Sequence, residues 1–266
     1  MLNILFIGDI NGRPGRNAVK QLVPNLISEK KIDFVIANGE NSAGGFGITK
    51  DVFDDLMAAR INCVTMGNHI WDKKDSMGLI DSEKRIIKPA NMPPGTPGNP
   101  YGIFSIDKNG IEIKIGVINL IGRVFMSPMD CPFRTADKIA DEIRKTTNII
   151  FVDMHAEATS EKMALGHYLD GKVTAVVGTH THVQTSDERV LAGGTGYMTD
   201  AGMTGSFDSV IGIKKEIIIK KFLTGIPDKY EVAELDVHFN GVICTIDEIS
   251  GKTIRLERLD IKYEKS

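Results

Sequence analysis

The chain has 266 residues, 42% of them hydrophobic and 25% charged, with a net charge of −3. That length buries a full core without disulfides or structural metals, and the acidic balance excludes a globally basic nucleic-acid binder. Any anionic ligand has to be held by local charge. Cys63, Cys131 and Cys244 are widely spaced, form no Cys-x-x-Cys and read as small apolar residues in a reducing compartment. The N-terminal apolar run has no basic lead and is too short for a signal peptide or a membrane span. The expectation is a cytoplasmic protein with no membrane attachment.

In chain order, LNILFIG (2–8) reads as a buried strand running into Gly8-Asp9. Pro14 suits the start of a helix whose apolar set is Val19, Leu22, Val23, Leu26 and Ile27. DFVIANG (33–39) is a second strand, ending in Gly39-Glu40-Asn41. Thr49 is an N-cap for a helix marked by Val52, Phe53, Leu56 and Met57. NCVTMG (62–67) is a third strand, ending in Asn68-His69. This βαβαβ run of near-continuous apolar strands predicts a sheet covered on both faces.

Residues 89–100 are rich in Pro and Gly and read as an ordered loop. YGIFSID and IEIKIGVINLIG form a β-pair turned at Asn109-Gly110. A helix covers roughly 135–146, and the strand 148–155 ends in His155. Thr159 or Ser160 caps a helix that Gly171 closes. The strand 172–182 ends in His180 and His182. A helix over 211–223 is closed by Gly225, and residues 230–260 form two or three antiparallel strands with a turn at Asn240-Gly241. No repeat, low-complexity tract or linker divides the chain, so one domain over 1–266 is expected.

Five apolar strands thus finish in side chains of metal-ligand type: Asp9, Glu40 with Asn41, Asn68 with His69, His155, and His180 with His182. Ligands of such sheets bind beyond the carboxyl ends of the strands, so these groups are expected at one rim. A mixed oxygen and nitrogen set suits borderline divalent ions such as Mn, Fe, Zn or Co, and does not suit Ca. The set is too large for one ion and fits two, about 3.5–4 Å apart, with a bridging carboxylate. Asp9 and Glu40 neutralise half of the charge of two divalent ions, and the remainder would hold a phosphate.

The series GD (8–9), GEN (39–41), GNH (67–69), MHAE (154–157) and GTHTH (178–182) resembles the calcineurin-like metallophosphoesterases, and more closely their bacterial YmdB-like branch. NSAGGFGIT (41–49), NLIGRVFM (119–126), EATSEKMALGHYLDG (157–171) and TDAGMTGSFDSVIG (199–212) extend the resemblance over nearly the whole chain. The wider superfamily opens with Asp-x-His, where this chain has Asp9-Ile10-Asn11 and carries Glu40 in place of Asp; both are usual in the narrower branch. The departure makes Asn11 a doubtful ligand and favours Asn41.

The resemblance implies an α/β fold, a four-layer αββα sandwich of two mixed sheets flanked by helices. It implies one ion held by Asp9, Glu40, Asn41 and His182, and a second by Glu40, Asn68, His155 and His180, with His69 beside them as general acid. It implies a phosphodiesterase of small cyclic nucleotides, 2′,3′- or 3′,5′-cyclic, with Fe or Mn as native metal and Zn as a further candidate, and a homo-oligomer. A phosphomonoesterase, an RNA-end phosphatase, and a metal-bearing regulatory module acting through a protein or RNA partner stay open.

Several residues keep two readings. Arg13 and Arg16 follow a glycine-rich loop that lacks Gly-Lys-Ser/Thr, and are expected to hold Asp9 in place. Phe46, in a Gly-rich loop, covers a nucleobase or simply belongs to a turn. Arg123 touches phosphate or makes a structural ion pair. Glu157, two residues after His155, stands behind the ligands as an orienting side chain or starts a helix, and His167 and His238 are structural.

Overall fold

The computed structural model describes residues 1–264. Its strands and helices, in chain order, are β1 (Leu2–Ile7), β2 (Asp9–Ile10), α1 (Gly12–Lys30), β3 (Phe34–Asn38), α2 (Lys50–Ala58), β4 (Cys63–Thr65), α3 (Met77–Ser82) and β5 (Ile86–Ile87). Then come β6 (Tyr101–Lys108), β7 (Ile111–Ile121), α4 (Pro132–Arg144), β8 (Ile150–His155), α5 (Thr159–Tyr168) and β9 (Ala175–Thr179). The chain closes with β10 (Arg189–Val190), β11 (Gly196–Met198), β12 (Met203–Ser206), α6 (Lys215–Thr224), β13 (Val237–Ile246) and β14 (Thr253–Lys262).

Two mixed sheets result. One runs β2-β12-β13-β1-β3-β4-β5, with β14 on β13, and is parallel from β1 to β5. The other runs β10-β11-β9-β8-β7-β6 and is parallel from β11 to β7. Alternation along β1 shows why it reads as continuously apolar: Leu5 and Ile7 join the core under α1 and α2, whereas Leu2, Ile4 and Phe6 face the second sheet. Phe6 stacks on Phe151 of β8 with ring centroids 5.1 Å apart. The outer face of the second sheet is covered by α4 and α5 through Ile139, Ile143 and Leu165. The layers are therefore α, β, β, α, as the family resemblance implied. Each large apolar side chain so enclosed contributes about 1.5–3 kcal/mol.

Most predicted elements appear, with shifted ends. Thr49 accepts the Val52 N–H as N-cap of α2. Asn109 and Gly110 both take positive φ, as the turn chemistry between β6 and β7 requires. Gly225 closes α6 in the left-handed region, but that helix starts at Lys215 rather than 211. Neither Thr159 nor Ser160 caps α5; both lie inside it, and its first turn closes on the Ala158 carbonyl.

Two readings fail outright. Asn240-Gly241 is no turn: both residues lie within β13, and the reversal falls between Ile246 and Thr253. Gly241 pairs with Ile7, and a Cβ there would come 2.6 Å from the Phe6 carbonyl oxygen, so the glycine permits close strand approach. The strand expected over 172–182 stops at Thr179. His180 and His182 follow it in left-handed backbone, with φ of 97° and 64°.

Candidate metal centre

The parallel strands of both sheets end at one rim, and Asp9, Glu40, Asn41, Asn68, His155, His180 and His182 meet there. Asp9, Glu40 and His155 are sealed from solvent. Glu40 Oε1 lies 3.2 Å from His155 Nε2 and 3.1 Å from Asn41 Nδ2. Asp9 Oδ2 accepts the His180 N–H at 3.1 Å, and Asp9 Oδ1 lies 3.7 Å from His182 Nε2. Asn68 Oδ1 is 2.9 Å from His155 Nε2, and His180 Nδ1 is 3.0 Å from the same nitrogen. One ligand atom each from Glu40, His155 and His180 falls within a sphere of contact small enough for a single ion.

The outer nitrogen of each imidazole explains what the inner one does. Asp153, buried on β8, accepts the Thr179 hydroxyl at 2.7 Å. A carboxylate only accepts, so Thr179 donates to it and its oxygen then accepts the His155 Nδ1–H at 2.9 Å. His182 Nδ1–H donates to the Ile211 carbonyl at 2.9 Å. His180 Nε2 faces Glu157 Oε2 at 3.2 Å. With these protons held outside, His180 Nδ1 and His182 Nε2 present lone pairs inward, and His155 Nε2 does the same once a cation replaces the proton that Glu40 and Asp9 favour there, beside two carboxylates and the Asn68 oxygen. So many acceptors facing one another repel unless a cation sits among them. Asn41 joins the set when its amide is turned over to present Oδ1, a half-turn that leaves its shape unchanged.

Ionisation registers the same crowding. Burial raises the Asp9 carboxyl above its ordinary value, only partly offset by His182 and His155. Burial likewise opposes charge on Glu40, but His155 and the His69 N–H hold it down to about 2. Burial disfavours charge on His155, yet Glu40 and Asp9 draw its pKa up to about 9. Burial and the neighbouring His155 push His180 down to about 3. Gly67 clears the space: a Cβ there would come 2.2 Å from Glu40 Oε2 and 2.3 Å from His155 Nε2. Donor chemistry and open volume both fit divalent ions.

His69 lies beside this cluster with its side chain 30% exposed. Its N–H donates to Glu40 Oε2 at 3.1 Å, its Nδ1 bonds Asp72 at 2.7 Å, and its ring meets Phe46 edge-on at 4.9 Å. A cavity of about 410 Å³ opens from the cluster, lined by Asn11, Phe46, His69, Ile213, Ile218 and Tyr230 among others.

The role expected of Arg13 and Arg16 is corrected. Arg13 pairs with Glu234 at 2.5 Å and Arg16 donates to the Ser42 carbonyl at 2.5 Å, so neither touches Asp9. Glu157 stands behind the expected ligand His180, as one of its two readings had it. His167 is exposed on α5, and His238 stacks on Phe207 and pairs with Asp260. Arg123 presents its backbone N–H, not a structural ion pair, to the buried Glu161.

Sequence reasoning missed the residues behind the ligands. Asp153 lay in plain view as a carboxylate two positions before His155, on the same strand face. Lys162 and Asp200, each 1% exposed, form a buried pair at 2.6 Å, and Asp200 also accepts the N–H and hydroxyl of Thr181 between the two histidines. No local signal announced that pair.

A two-sheet sandwich with this rim is the metallophosphoesterase fold. Within that class the chain belongs to the YmdB-like family, whose model matches residues 5–259. It is 49% identical over 258 residues to the 2′,3′-cyclic-nucleotide 2′-phosphodiesterase of Bacillus subtilis (strain 168), covering 97% of this chain and 96% of that one. A crystal structure of a novel phosphatase from Mycoplasma pneumoniae matches with a TM-score of 0.91 at 34% identity, over 98% of this chain and 93% of that one. A hypothetical protein of Thermus thermophilus matches with a TM-score of 0.91 at 39% identity, over 99% and 100% of the two chains.

Proposed function

We propose that this chain is a two-metal phosphodiesterase of small phosphodiesters, with 2′,3′- and 3′,5′-cyclic nucleotides as its substrates. The observation that carries the reading is the convergence of three imidazole lone pairs on Glu40 and Asp9, next to an open cavity. Asp9, Glu40, Asn41 and His182 would hold one ion, and Glu40, Asn68, His155 and His180 would hold the other. Fe and Mn suit this mixed set, and Zn fits it too. Bound ions supply the positive charge that activates the attacking water and stabilises the crowded phosphoryl oxygens.

His69 acts as general acid. Asp72 ties its Nδ1, which leaves Nε2 for the substrate side. Attack by water on phosphorus breaks one P–O bond; His69 serves this step as the imidazolium, keeping Nδ1–H on Asp72 while Nε2–H passes its proton to the departing alkoxide and the ring is left neutral. The products are a phosphomonoester and a free hydroxyl. The name of the Bacillus relative supports a 2′,3′-cyclic substrate opened at the 2′ position. Unpaired cysteines support a reducing, cytoplasmic setting, and among the described residues no helix is long and apolar enough to cross a membrane.

The test is hydrolysis of 2′,3′-cyclic AMP and bis-p-nitrophenyl phosphate by chelated protein, Mn-reconstituted protein and His69→Ala. Metal-dependent turnover that falls about 10²–10⁴-fold in His69→Ala is expected. Turnover of the generic diester alone would remove the cyclic-nucleotide assignment. Absence of turnover with metal bound would shift the reading to a regulatory module.

A further inference from the structure

We propose that the apolar half of the cavity is a nucleobase cradle and that Asn11 contacts the sugar between that cradle and the metal centre. The inference rests on the cyclic-nucleotide reading above. The cavity lining is polar at Glu40, Asn41, His180 and His182 and apolar at Phe46, Ile213, Ile218, Phe222 and Tyr230. Its volume, about 410 Å³, is that of a small-molecule site. A phosphodiester group alone would fill the polar part. The apolar part calls for a flat, weakly polar body held at a fixed distance from the phosphorus.

The aromatic pair there is preorganised. Phe46 and Tyr230 are nearly parallel, 22° between planes, with centroids 6.2 Å apart. His69 braces Phe46 edge-on at 4.9 Å. Lys221 bonds the Tyr230 hydroxyl and lies over its ring at 5.1 Å. Stacking on such rings is open to every base, since every base has a π-face. Lys221, the charged group beside these rings, is already engaged with Tyr230, so the cradle favours purines over pyrimidines by area and barely separates adenine from guanine.

Asn11 supplies an independent observation. It is 2% exposed and lines the cavity, and its Oδ1 is buried with no hydrogen-bond partner. Such an orphan is costly and rare in a folded protein. Gly212 is shaped around it: a Cβ there would come 2.6 Å from the Asn11 amide. An amide that both donates and accepts matches a sugar hydroxyl, which does the same.

The first experiment is calorimetric titration of adenosine, which has no phosphate, into the full chain and into Tyr230→Leu, Phe46→Leu and Asn11→Ala. Adenosine is expected to bind, with affinity falling about tenfold or more in Tyr230→Leu. No binding, or an affinity that none of the three variants moves, would overturn the proposal. The second arm compares kcat/KM for 2′,3′-cyclic AMP with that for glycerol 1,2-cyclic phosphate in Mn-loaded protein. Their ratio is expected to fall at least about tenfold in Tyr230→Leu, through KM. A ratio that stays put overturns the cradle while the activity stands. Adenosine binding that weakens as expected, with neither diester hydrolysed, upholds the cradle and sinks the phosphodiesterase reading.

Discussion

Replacing Asp153 by Asn tests whether the proton of His155 is set from behind. Asp153 takes the Thr65 hydroxyl at 2.5 Å, the Thr179 hydroxyl at 2.7 Å and the Asn38 amide at 3.2 Å. Three donors and no competing acceptor force Thr179 to turn its lone pair toward His155 Nδ1. In Asp153→Asn the amide keeps its oxygen toward Thr65 and Asn38, and its NH2 group donates to the Thr179 hydroxyl. Thr179 is then free to donate to His155 Nδ1, which moves the imidazole proton to Nε2, the atom that faces Glu40. Metal ions must compete with that proton. Losing such an outer partner costs about 10–100-fold in metal affinity, which is about 1.4–2.8 kcal/mol. Thr179→Val, similar in shape but unable to relay, should lose a comparable amount by a different route. The assay is competition for Mn or Zn against a chromogenic chelator, on metal-free protein with circular dichroism as a fold check. Two well-folded variants with wild-type affinity would refute the relay.

Gly67→Ala would thrust a methyl between Glu40 and His155 and should abolish metal uptake in the same competition. Asp200→Asn leaves Lys162 charged and buried without its partner, a loss of about 3–5 kcal/mol in urea unfolding. Adding Lys162→Met to it should recover most of that loss, because no buried charge remains. Burial raises the Cys63 thiol well above its ordinary value and pushes Cys244 up to about 12, so both stay protonated at pH 8. Ellman's reagent should therefore titrate Cys131 alone in the native protein and all three thiols in guanidinium. Fast reaction of more than one native thiol would contradict this burial.

The candidate site was legible because the strands that carry it are buried on both faces. In such strands a polar residue cannot be a surface position, so Asp9, Glu40 and His155 had to be spent on one another or on a ligand. The side chains that orient them were harder to see, since their partners are remote. Asp153 and Thr65 are separated by 88 residues and meet only when the two sheets close. The second sheet itself was invisible to periodicity, which assigns faces but not the layer each face meets; the Phe6–Phe151 stack is that missing fact.

Backbone conformation was the other blind spot. His180 and His182 looked like alternate residues of a strand, which would aim both rings the same way along one face. Their positive φ values turn the chain so that His180 Nδ1 reaches His155 while His182 Nε2 reaches Asp9. Left-handed backbone at bulky residues costs energy unless the surroundings hold it. Here Asp9 grips the His180 N–H, Asp200 grips the Thr181 N–H and hydroxyl, and the Ile211 carbonyl grips the His182 ring. The strain and the restraints coincide at the two histidines on which the proposed centre most depends. That coincidence ties the buried Lys162–Asp200 pair to the site's geometry as well as to the core.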